Sequence, residues 1–336
     1  MCSRILWRSE DGETVIVGRN MDWFEDTGTN LWILPQGMEH RGLSRENPLK
    51  WTSRYGSLVA TVYDLGVADG INEKGLDGNM LFLAESDYGR KNPALPGLSI
   101  SLWLQFFLDN FATVKEAIDY MSDRPFQVLP VTAGVTKKTQ IKVHLSFADR
   151  YGDSAIVEFV DGRPAIYHDR RYCVMTNSPT FDKQIEGLKR YKGFGGEENL
   201  PGTTKAADRF VRAAYYLERL PQPDTEREAI AGVLSVMRNV SQPFGAAEPG
   251  EPNTSPTRWR SAADLTGGYY FYESTTSPNI IWIDLNKLDF TNGVRKLDLT
   301  SDLDRIGDVT GEFLPSKPFK PAAPDEEKIP MEGIAR

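Results

Sequence analysis

An α+β fold is predicted by two features of the chain. Short apolar segments bounded by Gly, Pro, Asn or Asp follow one another in antiparallel-looking runs, and helical periodicity appears in pairs between those runs, without a strict β-α-β alternation. No stretch reads as a linker and no internal repeat is present, so residues 1–336 are expected to form a single domain. Residues 315–336, rich in Pro, Lys and Glu, are expected as a surface tail.

Residues 3–8 form an apolar-rich strand, Asp11-Gly12 carries a hairpin turn signal, and the β-branched run 14–18 returns alongside. Further strands are expected at 31–34, 56–63 and 66–72. Between 99 and 120 the period becomes helical, with a break at 110–113, and Thr113 with Glu116 forms a capping-box pair for the second helix. Strands resume at 141–147, 154–160, 163–168 and 172–176, and helices follow at 208–220 and 225–239. The last strands are expected at 265–273 and 279–284.

Hydrophobic residues make up 40% and charged residues 26%, an ordinary globular balance, and 39 basic against 47 acidic residues give a net charge of −8. The basic residues are scattered, which argues against nucleic acid as a partner. No apolar run approaches the roughly 20 residues of a membrane-spanning helix. The first residues lack the apolar core of a leader, so the expected compartment is the cytoplasm, or the periplasm if a leader has been removed.

The three histidines, His40, His144 and His168, form no H-E-x-x-H pair, and no G-x-S-x-G elbow or phosphate-binding glycine motif is present. Zinc-protease, serine-triad and nucleotide chemistry therefore have no positive signal. The two cysteines, Cys2 and Cys173, form neither a disulfide framework nor a metal-ligand spacing. Cys173, within Tyr172-Cys173-Val174-Met175, reads as a small core hydrophobe. Cys2 is different: removal of Met1 leaves a thiol and a free α-amine on one residue. An α-amine titrates near pH 8 in model compounds, about where a general base is useful, so nucleophile and base share a residue and no histidine is needed. The Asp11-Gly12 hairpin returns Arg19 and Asp22 to its side, a cation for the sulfur and an acceptor for the amine.

Met1-Cys2 with Gly18-Arg19-Asn20-Met21-Asp22-Trp23, then 69–76, Thr176-Asn177-Ser178-Pro179, Leu200-Pro201-Gly202 with 209–214, and Asp264-Leu265-Thr266 form five ordered segments. Together they resemble the choloylglycine hydrolase family of bile salt hydrolases and penicillin V acylases, which are N-terminal nucleophile hydrolases. The resemblance spans the chain from Met1 to about Phe290. It implies an αββα four-layer sandwich, commonly a homotetramer, with no metal and no cofactor. By position it implies that the sulfur of Cys2 attacks an amide carbonyl while its amine moves the proton, that Asp22 orients the amine, and that Arg19 favours the thiolate. It further implies that Asn177 donates its side-chain NH₂ to the oxyanion and that Arg209 completes the polar network.

Bile salt hydrolases carry an Asn where this chain has Phe82, which offers only its backbone N–H to an oxyanion. Penicillin V acylases carry an aromatic residue there, and residues 79–88 resemble those of Gram-negative bacteria, a branch also associated with N-acyl homoserine lactones. Trp23 and Phe82 are candidate walls for an apolar acyl group, with sheet packing as the alternative for Trp23. Trp259 with the flanking Arg258 and Arg260 reads as part of a solvated face, with contact to a substrate carboxylate or lactone as the alternative. The leading expectation is thus an N-acyl amide hydrolase acting on small molecules such as penicillin V. Conjugated bile salt hydrolysis, a catalytically silent binding protein and a Cys-His enzyme are the alternatives.

Overall fold

The computed structural model describes residues 2–123, 125–134, 139–245 and 255–329; Met1 and residues 330–336 of the expected tail lie outside them. Two large sheets carry the fold. The first is built from β1 (Cys2–Arg8), β2 (Val15–Asp22), β10 (Val174–Met175), β11 (Thr257–Asp264), β12 (Tyr269–Ser274), β13 (Ile281–Asp284) and β15 (Gly307–Asp308), ordered β10-β1-β2-β11-β12-β13-β15. The second contains β3 (Leu31–Leu34), β4 (Ser57–Val62), β5 (Gly66–Asn72), β6 (Asp77–Phe82), β7 (Val143–Ala148), β8 (Ser154–Val160), β9 (Arg163–His168), β14 (Arg295–Leu297) and β16 (Leu314–Pro315). Its order is β9-β8-β7-β6-β5-β4-β3-β14-β16.

Helices α1 (Trp103–Asn110) and α2 (Val114–Asp123) cover the outer face of the second sheet, while α3 (Phe181–Leu188), α4 (Ala206–Leu217) and α5 (Glu226–Asn239) lie on the side of the first. The layers are therefore α, β, β and α, as the resemblance implied. One apolar core joins the first sheet to α4, α5 and the inner face of the second sheet, and a second core lies beneath α1 and α2. None of the helices among the described residues is long and apolar enough to cross a membrane.

The opening hairpin forms around Asp11-Gly12, with Gly12 at φ +76°, a conformation that glycine adopts at no steric cost. It pairs Cys2 with Met21 and Arg4 with Arg19. All eight residues of β2 are buried, and the period-two alternation gives its faces different tasks. Arg19 and Met21 point with Cys2 into the sandwich, whereas Gly18, Asn20 and Asp22 point toward the helices. A Cβ on Gly18 would lie 2.7 Å from Val233 and 2.8 Å from Met237, so glycine is what lets α5 settle on β2.

Residues 315–329 run along the second sheet, with Phe319 edge-on to Trp32 at 5.4 Å and the Ala322 carbonyl accepting from Ser99 and Ser101. The break between α1 and α2 is capped as expected, Thr113 Oγ1 accepting the Glu116 N–H, but Glu116 reaches back to the Ala112 N–H. The predicted strand at 265–273 is β12, displaced toward 274, and β6, β11, β14, β15, β16 and α3 carry no prediction. The sequence of β11, Thr257-Arg258-Trp259-Arg260-Ser261, hides its inward alternation behind two arginines, although it is the central strand of its sheet.

Candidate active site

Cys2 is 2% exposed and begins β1. Its sulfur lies 3.7 Å from Arg19 Nη2 and 3.8 Å from Met21 Sδ. Arg19 also donates to the Met80 carbonyl at 3.1 Å, and its guanidinium carbon stands 4.4 Å above the centre of the Trp259 ring. A cation therefore sits beside the thiol, as the hairpin register requires.

The backbone nitrogen of Cys2 donates to Asn177 Oδ1 at 2.7 Å. That oxygen also accepts from Arg209 Nη2 at 2.8 Å, and two donors on one atom orient the amide. Arg209 Nη1 donates to the Cys2 carbonyl at 2.6 Å and to Ser3 Oγ at 2.5 Å. The same guanidinium nitrogen stands 3.5 Å from Asp22 Oδ2, with both side chains fully buried. Burial pushes the Arg209 pKa down, and Asp22 and Cys2 work in the opposite direction. Asp22 is held by Thr257 Oγ1 at 2.6 Å and Gln242 Nε2 at 2.8 Å.

Asn177 meets Cys2 through its carbonyl end, while its Nδ2 donates to the Phe82 carbonyl at 2.7 Å. That places one of its two N–H groups on Phe82, a partner the sequence did not suggest. The ladder explains why Phe82 faces the site. Leu83 donates to Lys142, so Phe82 stands opposite Val143 in a non-hydrogen-bonded pair and turns its N–H and C=O away from β7. Pairing of β6 with β5 runs only from Asp77 to Asn79, which leaves the following edge toward Cys2. Met80 meets Arg19, Phe82 meets Asn177 and Ala84 meets Ser178 along that edge.

A cavity of about 60 Å³ adjoins the sulfur, walled by Trp23, Val62, Tyr63, Phe82, Ile141 and Val143. Its surface is almost wholly apolar. Trp23 and Phe82 face each other with ring centres 6.2 Å apart, and Trp23 Nε1 donates to Tyr63, which donates in turn to Glu25. Trp23 thus lines the cavity instead of packing only on the sheet.

All seven residues singled out, Cys2, Arg19, Asp22, Trp23, Phe82, Asn177 and Arg209, converge at this one end of the sandwich. Sequence reasoning missed their supports. Gln184 of α3 grips the Asn177 segment, its Nε2 donating to the Asn177 and Pro179 carbonyls and its Oε1 accepting from Thr176. His144 bridges Glu158 and the Thr176 carbonyl, each at 2.9 Å, and Glu158 also accepts the Phe181 N–H that begins α3. Nothing in the local sequence marks these pairs. The histidines are committed elsewhere, His40 to Ser53 and His168 to Asp153, so a Cys-His pair has no geometric support among the described residues. The expected solvated face at 258–260 is overturned: Trp259 is 2% exposed, Arg260 is paired with Glu273, and Arg258 binds the Trp23 and Phe24 carbonyls. Trp259 and Ser261 face inward, whereas a register shift between Thr257 and Trp259 turns Thr257 to Asp22 on the helical side.

The family model of linear amide C–N hydrolases, choloylglycine hydrolase family, matches residues 2–303. The chain is 40% identical to a penicillin V acylase of Pectobacterium atrosepticum, over 95% of this chain and 91% of that protein. It is 25% identical to a bile salt hydrolase/transferase of Clostridium perfringens, over 85% of this chain and 93% of that one. A solved penicillin V acylase from Agrobacterium tumefaciens superposes with a TM-score of 0.87 at 45% identity, covering 96% of this chain and all of the other. A conjugated bile acid hydrolase variant from Clostridium perfringens shares the fold, with a TM-score of 0.75 at 22% identity over 88% of this chain and 97% of that one. With the family model covering most of its length and both sheets matched, the chain belongs to the choloylglycine hydrolase family and is a hydrolase of linear amide C–N bonds.

Proposed function

We propose that the chain is a penicillin V acylase-type enzyme that uses Cys2, freed by removal of Met1, to cleave N-acyl amides with an apolar acyl group. The observation that carries this reading is the apolar cavity closed by Trp23 and Phe82 directly beside the Cys2 sulfur. Flat or aliphatic acyl groups, such as the phenoxyacetyl of penicillin V or the chain of an N-acyl homoserine lactone, match such walls. A steroid amide has no equivalent reason to prefer Phe82.

The sulfur attacks the amide carbonyl, and the thiol proton passes to the Cys2 amine, held by Asn177 Oδ1. Negative charge on the carbonyl oxygen is met by the Phe82 N–H and the second N–H of Asn177 Nδ2. Collapse breaks the C–N bond, the ammonium returns its proton to the leaving amine, and a thioester remains on Cys2. Water then attacks the thioester with the amine as base, releasing the acid and restoring the thiol. Arg19 favours negative charge on the sulfur, and the buried Asp22–Arg209 pair fixes the N-terminus against Asn177.

Penicillin V, a long-chain N-acyl homoserine lactone and glycocholate, assayed in parallel for released amine, test the proposal. Cleavage of either of the first two with little glycocholate turnover is expected. Preferential glycocholate turnover would transfer the assignment to bile salts, and no turnover of any amide would favour a silent binding protein.

A further inference from the structure

Arg19 is fully buried, yet its Nε and Nη1 have no hydrogen-bond acceptor among the described residues. Its Nη2 carries the whole set of contacts: the Met80 carbonyl, Met21 Sδ and Cys2 Sγ. Two of those three are sulfur atoms, which are weak acceptors. A desolvated guanidinium with so few acceptors needs another source of negative potential, and the face of an indole is one. Trp259 supplies that face at 4.4 Å.

The indole is itself held in place. Its Nε1 donates to Thr29 Oγ1 at 3.0 Å, Thr29 is bonded to Thr27 at 2.8 Å, and Tyr272 stacks on the ring at 5.4 Å with a 33° tilt. Trp259 is paired across β11 and β2 with Met21, the residue opposite Cys2, so thiol, cation and ring occupy three adjacent strands on one face.

From this geometry we infer that Trp259 is a positioning residue for amide hydrolysis, holding the Arg19 guanidinium against the sulfur of Cys2. The inference rests on the proposal that Cys2 is the nucleophile. Trp259 does not line the acyl cavity, so its contribution belongs to the chemical step and not to acyl-group binding. The under-satisfied cation gains most when charge develops on the sulfur, and the ring keeps the guanidinium from turning away toward better acceptors in the ground state.

The test uses Trp259→Met and Trp259→Phe in the full chain, each also in an Arg19→Met background. Three quantities are read: kcat, KM, and the rate at which iodoacetamide alkylates Cys2, followed by peptide mass spectrometry with Cys173 as internal reference. Trp259→Met is expected to lower kcat and Cys2 alkylation by about tenfold, the scale of a desolvated cation–π contact, with KM and Cys173 unaffected. Trp259→Phe keeps a weaker face and is expected to lose about threefold, which preserves the test should the Met variant fail to fold. In the Arg19→Met background the same changes should add less than about twofold, because the ring acts through the arginine. Unchanged Cys2 alkylation in the Phe variant, or an equal loss with and without Arg19, would overturn the inference. Hydrolysis surviving in Cys2→Ala would instead overturn the nucleophile assignment, and the two failures are read on different variants.

Discussion

Asn177 receives the backbone nitrogen of Cys2 on its side-chain oxygen, a 2.7 Å contact between residues 175 apart in sequence. Through that one amide the N-terminal strand, Arg209 of α4 and the Phe82 edge of the second sheet are joined. Removing it should therefore affect chemistry more than binding. Asn177→Ala is expected to lower kcat by about 10²–10³, the usual cost of an oxyanion donor, with a smaller change in KM. Steady-state kinetics on penicillin V decide it, and a loss confined to KM would show that Asn177 only shapes the pocket.

Cys2→Ala and Cys2→Ser should abolish amine release while leaving the melting temperature within a few degrees of the parent. The side chain is small and its sulfur makes two weak polar contacts among the described residues, so its replacement removes little packing volume. Scanning calorimetry beside the amine assay separates loss of the nucleophile from loss of the fold.

A chain that keeps Met1 should be inactive. The nitrogen facing Asn177 Oδ1 is then an amide and cannot take up a proton. Intact-mass spectrometry on active and inactive fractions checks this. Full turnover by protein that still carries Met1 would exclude the amine as base.

Arg209→Met leaves the buried Asp22 carboxylate without the cation 3.5 Å away. Breaking one side of such a pair typically costs about 3–5 kcal/mol, so urea unfolding should show a large loss of stability together with loss of activity. Asp22→Asn should cost less, because its remaining side-chain oxygen can still accept from Thr257 Oγ1 and no buried carboxylate is left unpaired.

The His40–Asp109 contact, at 3.4 Å behind the second sheet, predicts a pH effect with a definite sign. Burial pushes the Asp109 carboxyl up to about 7 and the His40 ring down to about 4, so both groups tend to the neutral form. For Asp109 the folded pKa lies above the unfolded one, so its contribution is present below about pH 4 and is lost as pH rises through about 7. For His40 the folded pKa lies below the unfolded one, so its contribution is present above about pH 6.5 and is lost as pH falls through about 4. The two slopes oppose each other. His40→Asn should therefore lose stability relative to the parent as pH rises from about 4 to 6.5, and Asp109→Asn should gain it over about 4 to 7. Denaturant titrations across that range decide it, and parallel curves for parent and variants would refute the assignment.

Much of the site was open to reading from local order. A hairpin with a short turn at Asp11-Gly12 fixes which residues of β2 lie opposite β1, so Arg19 and Asp22 could be placed near Cys2 from spacing alone. Asn177, Arg209 and Phe82 became visible only through the resemblance, because no local pattern separates a site asparagine from a turn asparagine. The central strand β11 escaped notice for a related reason: Arg258 and Arg260 point outward to a carboxylate and two carbonyls that come from other strands and loops.

The sequence by itself therefore determined the fold class and the hairpin that sets a cation and a carboxylate beside the thiol of Cys2. These follow from turn chemistry and the two-residue period of a strand, which act over a few residues. Tertiary structure decided the rest: which end of the Asn177 amide faces Cys2, that the free edge of β6 turns Phe82 toward the thiol, and that Trp259 lies under Arg19. Those outcomes depend on how two sheets and a helical layer pack. Only that packing removes water from a buried guanidinium and leaves an indole, two sulfur atoms and one carbonyl to take its place.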